Sequence, residues 1–521
     1  MEYHYIIVGG GSAGCVLANR LSAQGNRQVL LLEAGGRDNH PLIRIPAAFY
    51  RLYKSKVDYG FYTEPQPHAH NRQLFVPRGK TLGGSGSINA MIYIRGHATD
   101  YDKWAAAGNV GWDYSSVLPY FLRAENNANF GAPYHSQSGP WHISNLLQPH
   151  PLSLQYLQAG HASGLPFLAD MNGAADEGVG IHQVNQRGGK RHSPADAYLH
   201  PIKNRPNLHL RTGAQVQKIL FTNKRATGLM LVCGKQQEEV RCSGEIILCA
   251  GSIHSPLILQ RSGIGDAAML GKLGMKALHH LPGVGQNLHD HPVVPLIYRT
   301  KKSASLDSAE TLPNLLQWIF KKTGPFTSNL AEGGGFLRTE PQLDAPDIQL
   351  HFAPAFFVNH GFSKPKGNGM SLAPILLRPA SRGTVKPHPG NPFQPLINPQ
   401  VFAQSNDLHR LREGFKRAVE IMQAKPMDPW RETAFLPQNP LKTNEEIEQY
   451  IRQNVELLYH PVGSCKMGSD NQAVVNAQLQ VHGLEGLRIA DASIMPQIVS
   501  GNTQAATIMI AEKAAEMLGD L

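Results

Sequence analysis

Residues 3–14 read YHYIIVGGGSAG, and the reading of this stretch decides the fold. Residues 3–8 are short, apolar and rich in β-formers, the pattern of a buried strand. The glycines that follow fit G-x-G-x-x-G at Gly9, Gly11 and Gly14. Cys15–Ala23 then reads as a helix, and QVLLLE (28–33) as a second strand ending in Glu33. Strand, glycine turn, helix, strand and acid in this order specify an α/β dinucleotide-binding unit. Gly9 permits the tight turn, Gly11 lets a pyrophosphate approach the backbone, and Gly14 lets helix and strand pack closely. The helix N-terminus offers free N–H groups and a positive dipole end to the phosphates. Glu33, with Ala34 beside it, is placed to accept both hydroxyls of an adenosine ribose. NAD and FAD satisfy these contacts equally.

Working outward, 521 residues make two or three domains with a large core. A hydrophobic share of 41% excludes disorder of the whole chain. No run approaches the roughly 18 apolar residues of a spanning helix. The first apolar run is too short for a signal-peptide core. The expectation is a cytoplasmic protein. Five cysteines without a C-x-x-C pair read as free thiols in a reducing compartment, and no metal site is expected. The net charge of +10 comes from scattered bases without interleaved aromatics. That pattern argues against nucleic acid and leaves anionic lipid or acidic ligands as partners for the excess.

Residues 77–92, PRGKTLGGSGSINAMI, form a second small-residue loop, suited to backbone lying flat on a ligand. The alternative is a flexible linker, but the apolar run 90–94 follows at once. Residues 207–240 turn like a β-meander with a polar KQQEE tip. An apolar strand, Ile246–Cys249, then enters a second small-residue turn, Ala250–Ser252. Ser255-Pro256 reads as a helix start, with Ser as N-cap and Pro in the first turn. The expected division assigns 1–130, 201–291 and 456–521 to the nucleotide domain. Residues 131–200 and 292–455, richer in Pro, aromatics and His, form a covering domain.

The carboxyl end carries the chemistry. YHPVGSCKMG (459–468) presents His460, and a helix begins near Thr503 with Asn502 at its N-cap position. With 24 histidines in the chain, His460 alone reads as ordinary, and Asn502 alone as a cap. A flavin between them gives both a role, because the helix N-terminus near Thr503 and Gln504 stabilises the charge gained on reduction.

Five ordered motifs resemble the glucose–methanol–choline oxidoreductases nearly end to end. They are GGGSAGCVLANRLS with Glu33, PRGKTLGGSGSINAMIYIRG, GSIHSPLILQRSGIG, YHPVGSCKMG and DASIMPQIVSGNTQAATIMIAEKAAE. The resemblance implies FAD, a doubly wound FAD domain, and a substrate domain built on an antiparallel sheet flanked by helices. The family's catalytic His falls on His460 and its second His-or-Asn position on Asn502. Its flavin contacts fall on Gly11, Ser12, Ala13, Glu33, Gly84, Asn89, Ala90, Met91, Ile92, Val216, Asp491, Ala492 and Thr503. Gly9, Gly14, Ala34 and Ala250 complete the expected cradle. Some members attach the flavin through a His where this chain has Ile88, so FAD is expected to be non-covalent.

Within the family the chain resembles bacterial dehydrogenases of primary aliphatic alcohols, with choline dehydrogenases close behind. This implies an alcohol substrate, a quinone-type acceptor and peripheral association with the inner face of the cell membrane. An O2-using oxidase and a hydroxynitrile lyase are the further alternatives. A choline site would want an anion and an aromatic cage, for which Glu332, Phe352, Phe356 and Phe357 are the candidates.

Overall fold

The computed structural model describes residues 2–301 and 305–519. Its first strand, Glu2–Val8, lies at the centre of a seven-stranded sheet. Val29–Glu33 and Leu208–Thr212 extend this sheet in parallel on one side. On the other side runs Gln236–Leu248, paired with the first strand from Glu2↔Arg241 to Val8↔Leu248. Every residue of Val29–Glu33 is buried, as a parallel strand covered on both faces requires. Leu487–Ile489 adds to Ile246–Leu248 near the end of the chain. Helix Ser12–Leu21 packs against the terminal helix Gln504–Met517, so the two ends of the sequence share one core.

Two expectations about the meander change in detail. Its third strand and the apolar strand after it are one element, Gln236–Leu248. Residues 236–241 pair antiparallel with Arg225–Cys233, and 241–248 pair parallel with the first strand. The turn narrows to Gly234-Lys235, because Gln236–Glu239 alternate along the ladder rather than forming a loop.

The helix expected from Ser255 instead begins at Gly251, and Pro256 lies inside it. Proline lacks the N–H that would satisfy the carbonyl four residues back, which is Ser252 O. The Ser464 hydroxyl donates to that carbonyl at 2.6 Å, so the helix runs through. Ser255 is therefore released from capping, and its hydroxyl donates to Asp491 Oδ2 at 2.6 Å. The first helix likewise starts three residues early, at Ser12.

A second, eight-stranded sheet is antiparallel. Its order is Arg431–Leu436, Leu296–Thr300, Gly369–Leu376, Ile348–Ala353, Gly333–Leu337 and Gly178–Ile181. Pro292–Val293 links Gly369–Leu376 to Glu456–Leu457. Along Ile348–Ala353, Ile348, Leu350 and Phe352 face a core shared with helices Ser405–Gln423 and Pro151–Ala162. By the period of two, Gln349, His351 and Ala353 face the opposite way, toward the first sheet. The sheet is thus one wall of a cavity whose other wall is the C-terminal edge of the parallel sheet, where open α/β sheets bind ligands.

Candidate active site

The two glycine-rich turns meet across this cavity. A Cβ on Gly14 would lie 1.9 Å from Gly9 O, and one on Gly84 would lie 2.7 Å from Gly11 Cα. Gly83 N donates to Gly10 O at 2.8 Å. A Cβ on Gly11, by contrast, would meet nothing nearer than 3.9 Å, so its missing side chain leaves room on the cavity side. Glu33 is buried at the strand end. It accepts from Gly10 N at 2.9 Å on Oε2 and from Gly35 N at 2.7 Å on Oε1. Each oxygen keeps lone-pair capacity for a ribose hydroxyl. Burial pushes this carboxyl up to about 7, against the pull of those two N–H groups and of Lys80.

The cavity has a volume of about 390 Å3. Its lining includes Gly9, Gly11, Ser12, Ala13, Glu33, Ala34, Gly84, Asn89, Ala90, Met91, Ile92, Val216, Ala250, Asp491, Ala492 and Thr503, together with His460 and Asn502. Of the expected cradle residues, Gly14 alone lies behind the wall, packed on Gly9. Ile88 also lines the cavity. Asp491 accepts from Gly251 N, Ser255 Oγ and Ser493 N, which fixes the turn before the second helix.

At the other end, His460 and Asn502 come together from positions 42 apart, with Asn502 Nδ2 3.3 Å from His460 Nε2. His460 follows Tyr459, whose φ of +68° turns the chain sharply. Arg78 donates to the Tyr459 carbonyl. One buried oxygen, Asp290 Oδ1, accepts from His460 N at 2.8 Å and from His291 N at 2.7 Å, so a single carboxylate pins both histidine segments. Burial pushes Asp290 up to about 7.

The hydrogen bonds fix the tautomers of neutral His291 and His460. His291 Nε2 lies 3.0 Å from Leu377 O, and a carbonyl only accepts, so Nε2 carries the proton. His291 Nδ1 is then an acceptor, and His460 Nδ1, 3.1 Å away, must be its donor. His460 Nε2 is left with a lone pair toward Asn502 and the cavity. Burial, then neighbouring His291, His351 and Arg78, hold His460 well below its usual pKa, which keeps that lone pair free. Gln349 Nε2 donates to Asn502 Oδ1 at 3.4 Å and sets which way the amide points.

Asn502 does not cap the terminal helix. Thr503 takes that position, with no side-chain cap, and the helix begins at Gln504. Asn502 stands one residue too early, and its amide is committed to His460 and Gln349. The first N–H groups of the helix stay free of side-chain caps at the cavity edge, where Thr503 and Gln504 lie.

The cage expected from Glu332, Phe352, Phe356 and Phe357 does not assemble. Phe352 faces the helical layer and stacks on Tyr156 with centroids 4.7 Å apart. Glu332 is buried, and its carboxylate accepts from Ser328 Oγ, Ser153 Oγ and His150 N. Phe356 packs on Phe435. Only Phe357 reaches the cavity. The apolar wall near His460 consists instead of Phe49, Tyr53, Leu330 and Phe357.

Arg78, Asp290, His291, Gln349 and His351 are site residues that the sequence reading missed. Gln349 and His351 carry a signal, since QLHFA alternates polar and apolar once it is read as a strand. The histidines of NLHDHP (287–292) carry none that separates them from the other histidines.

The GMC oxidoreductase family models match residues 3–293 and 379–511. This chain belongs to the GMC oxidoreductase family. It is 43% identical to the alcohol dehydrogenase [acceptor] of Pseudomonas putida, over 99% of this chain and 95% of that protein. It is 41% identical to the mitochondrial choline dehydrogenase of Mus musculus, over 99% and 89%. The crystal structure of pyridoxine 4-oxidase from Mesorbium loti superimposes with a TM-score of 0.91 at 32% identity, covering 99% of each chain. The cofactor is FAD, and the cradle fits it. Glu33 is oriented for a ribose, Gly11 leaves space for a pyrophosphate, and an uncapped helix end lies opposite His460. No cysteine is tied in a disulfide, and all five are free.

Proposed function

We propose that the protein is an FAD-dependent alcohol dehydrogenase that oxidises primary aliphatic alcohols to aldehydes and passes the electrons to a quinone-type acceptor. FAD, when bound, supplies the site that takes the α-hydrogen with its electron pair. The rest is done by this chain's side chains. His460 Nε2 removes the hydroxyl proton. Asn502 Nδ2 donates to the oxygen as it gains charge, and Gln349 keeps the amide turned that way. His291, by accepting from His460 Nδ1, holds the base in the tautomer that presents its lone pair.

One observation carries the choice of substrate. The wall beside His460 is apolar and aromatic, and Glu456 on the cavity lining is paired with Arg72 through Oε1 and faces His360 Nε2 at 3.3 Å through Oε2. Glu33 and Asp491, the other acids on the lining, are tied to backbone N–H groups. Each acid on the described lining of this cavity thus already has an N–H, hydroxyl, guanidinium or imidazole neighbour, which disfavours a quaternary ammonium, whereas an alkyl chain finds an apolar wall. Pseudomonas putida alcohol dehydrogenase [acceptor] has a name that fits this reading.

An anaerobic panel of primary alcohols and choline tests it, followed by reoxidation with quinone, dye or O2. Aliphatic alcohols should bleach the flavin faster than choline, and quinone should restore it faster than O2. A flavin that no alcohol bleaches contradicts the reading and favours a redox-silent lyase. Our reading also places the protein in the cytoplasm, peripherally at the inner face of the membrane.

A further inference from the structure

Helix Leu312–Lys321 presents an apolar stripe to solvent. Leu312, Leu316, Ile319 and Phe320 are 67%, 42%, 44% and 79% exposed. Their spacing of 0, 4, 7 and 8 residues keeps them within about 100° of one another on the helix. The helix is firmly seated from behind. Trp318 is buried and its Nε1 donates to Gly189 O at 2.8 Å, while Thr311 caps the first turn. The stripe is therefore an outward face of a packed element.

The surroundings of the stripe are basic. Lys321 and Lys322 end the helix, with the Lys322 ammonium 4.1 Å from the Trp318 ring centroid. The hairpin Gln186–Arg191 docks against Lys322, since a Cβ on Gly189 would lie 2.1 Å from Lys322 O. That hairpin adds Arg187 and Lys190. None of these four cations forms an ion pair with a carboxylate among the described residues. Of the two nearby acids before the helix, Glu310 is shared by Arg51 and Lys364, and Asp307 accepts from Ser305 Oγ and from the N–H groups of Phe356 and Gly369.

A second cavity, about 740 Å3, opens beside this helix. Leu42, Ile45, Leu312, Leu315 and Phe326 line it. Leu330 and Phe357 line both this cavity and the one that holds His460, so the two adjoin there.

We propose that the face formed by Leu312, Leu316, Ile319 and Phe320, flanked at its C-terminal end by Arg187, Lys190, Lys321 and Lys322, docks on an anionic lipid bilayer. The occupant follows from charge and shape. Four cations that form no ion pair among the described residues complement anionic headgroups, and the apolar side chains beside them reach the acyl boundary. No helix among the described residues is long and apolar enough to cross a membrane, so the segment lies on the surface. Docked in this way, the second cavity opens at the lipid, on the side from which an apolar acceptor would come. The proposal deepens the membrane reading above and rests on it only for the identity of the acceptor.

Flotation of the FAD-loaded protein with phosphatidylcholine vesicles, with and without phosphatidylglycerol, tests it. Binding should be at least tenfold stronger with the anionic lipid and should weaken with salt. Two double variants separate the contributions. Ile319→Ser with Phe320→Ser removes the apolar part, and Arg187→Glu with Lys321→Glu reverses the charge. Each should lower vesicle binding roughly tenfold or more, leaving the melt and dye-linked turnover unchanged. Wild-type protein that ignores anionic vesicles, or variants that bind like wild type, overturn the proposal. So does a wild-type dimer that Phe320→Ser dissociates without any vesicle binding, which would make the face a contact between copies. Dye-linked turnover is scored separately, so vesicle binding without alcohol oxidation would sink the chemistry and leave the docking face standing.

Discussion

The nucleotide cradle and the catalytic wall are built on opposite principles. The cradle is backbone. Two glycine turns face each other at Gly11 and Gly84, and the N–H groups of Gly10 and Gly35 orient one carboxylate. The wall is side chain. His291, Gln349, His460 and Asn502 come from four separate segments, and their tautomers and amide directions are set by one another. A backbone site fails when an atom is added. A side-chain site fails when a donor or acceptor is removed, and its fold survives. Substitutions on either side can break or sharpen this contrast.

The largest effect is expected at Gly14. Gly14→Val places carbon 1.9 Å from a carbonyl oxygen, and soluble, FAD-loaded protein should not be recovered. Gly11→Ala has room to fold but intrudes on the cavity side, so its melt without FAD should match wild type while FAD occupancy drops. If Gly14→Val purifies yellow and stable, the close packing of the turn is wrong.

Glu33→Ala comes next. It removes the acceptor for the ribose and strands two buried N–H groups, each lost bond costing about 1–3 kcal/mol. FAD titration of the apoprotein should show affinity weakened roughly ten- to hundredfold. On the other side of the contrast, Asn502→Ala should slow flavin reduction about tenfold or more, with unchanged FAD content. Its melt should stay within about 0.5 kcal/mol of wild type, because Thr503 and not Asn502 holds the cap position. A loss of about 1 kcal/mol would restore the capping role. The smallest effect is expected at His291. Exchange for Phe removes the acceptor for His460 Nδ1 and frees the wrong tautomer, slowing reduction about five- to tenfold. An unchanged rate would mean that the base is oriented by something else.

Much of this contrast was legible in the sequence, and unevenly so. The amino-end half of the cradle is contiguous, and its glycine spacing, strand and acid lie within the first 33 residues, so local physics exposes it. The antiparallel second sheet came from resemblance rather than from pattern, because its strands are scattered from 178 to 457. Ser255-Pro256 was misread because the donor that frees the helix to run through Pro256 is Ser464, over two hundred residues away. Glu332 and Phe352 look like cage residues in the sequence, yet the register of one strand and the seat of one helix turn them to the far side of the sheet. Side-chain sites of this kind become legible only when strand register is known.

The central claim is that neutral His460 is the base for alcohol oxidation, and anaerobic stopped-flow reduction of the flavin tests it most directly. A primary aliphatic alcohol is mixed with wild type and with His460→Ala across pH. Because burial holds His460 below its usual pKa near 6.5, the neutral base persists as pH falls. The acid limb that His460→Ala removes should therefore lie below pH 6.5, apart from any step near 7 that Asp290 or Glu33 contributes in both proteins. His460→Ala should keep its FAD and fold, reduce about 10²–10⁴-fold more slowly, and lose that acid limb. A variant that reduces at the wild-type rate, or one that keeps the wild-type acid limb, would contradict the account.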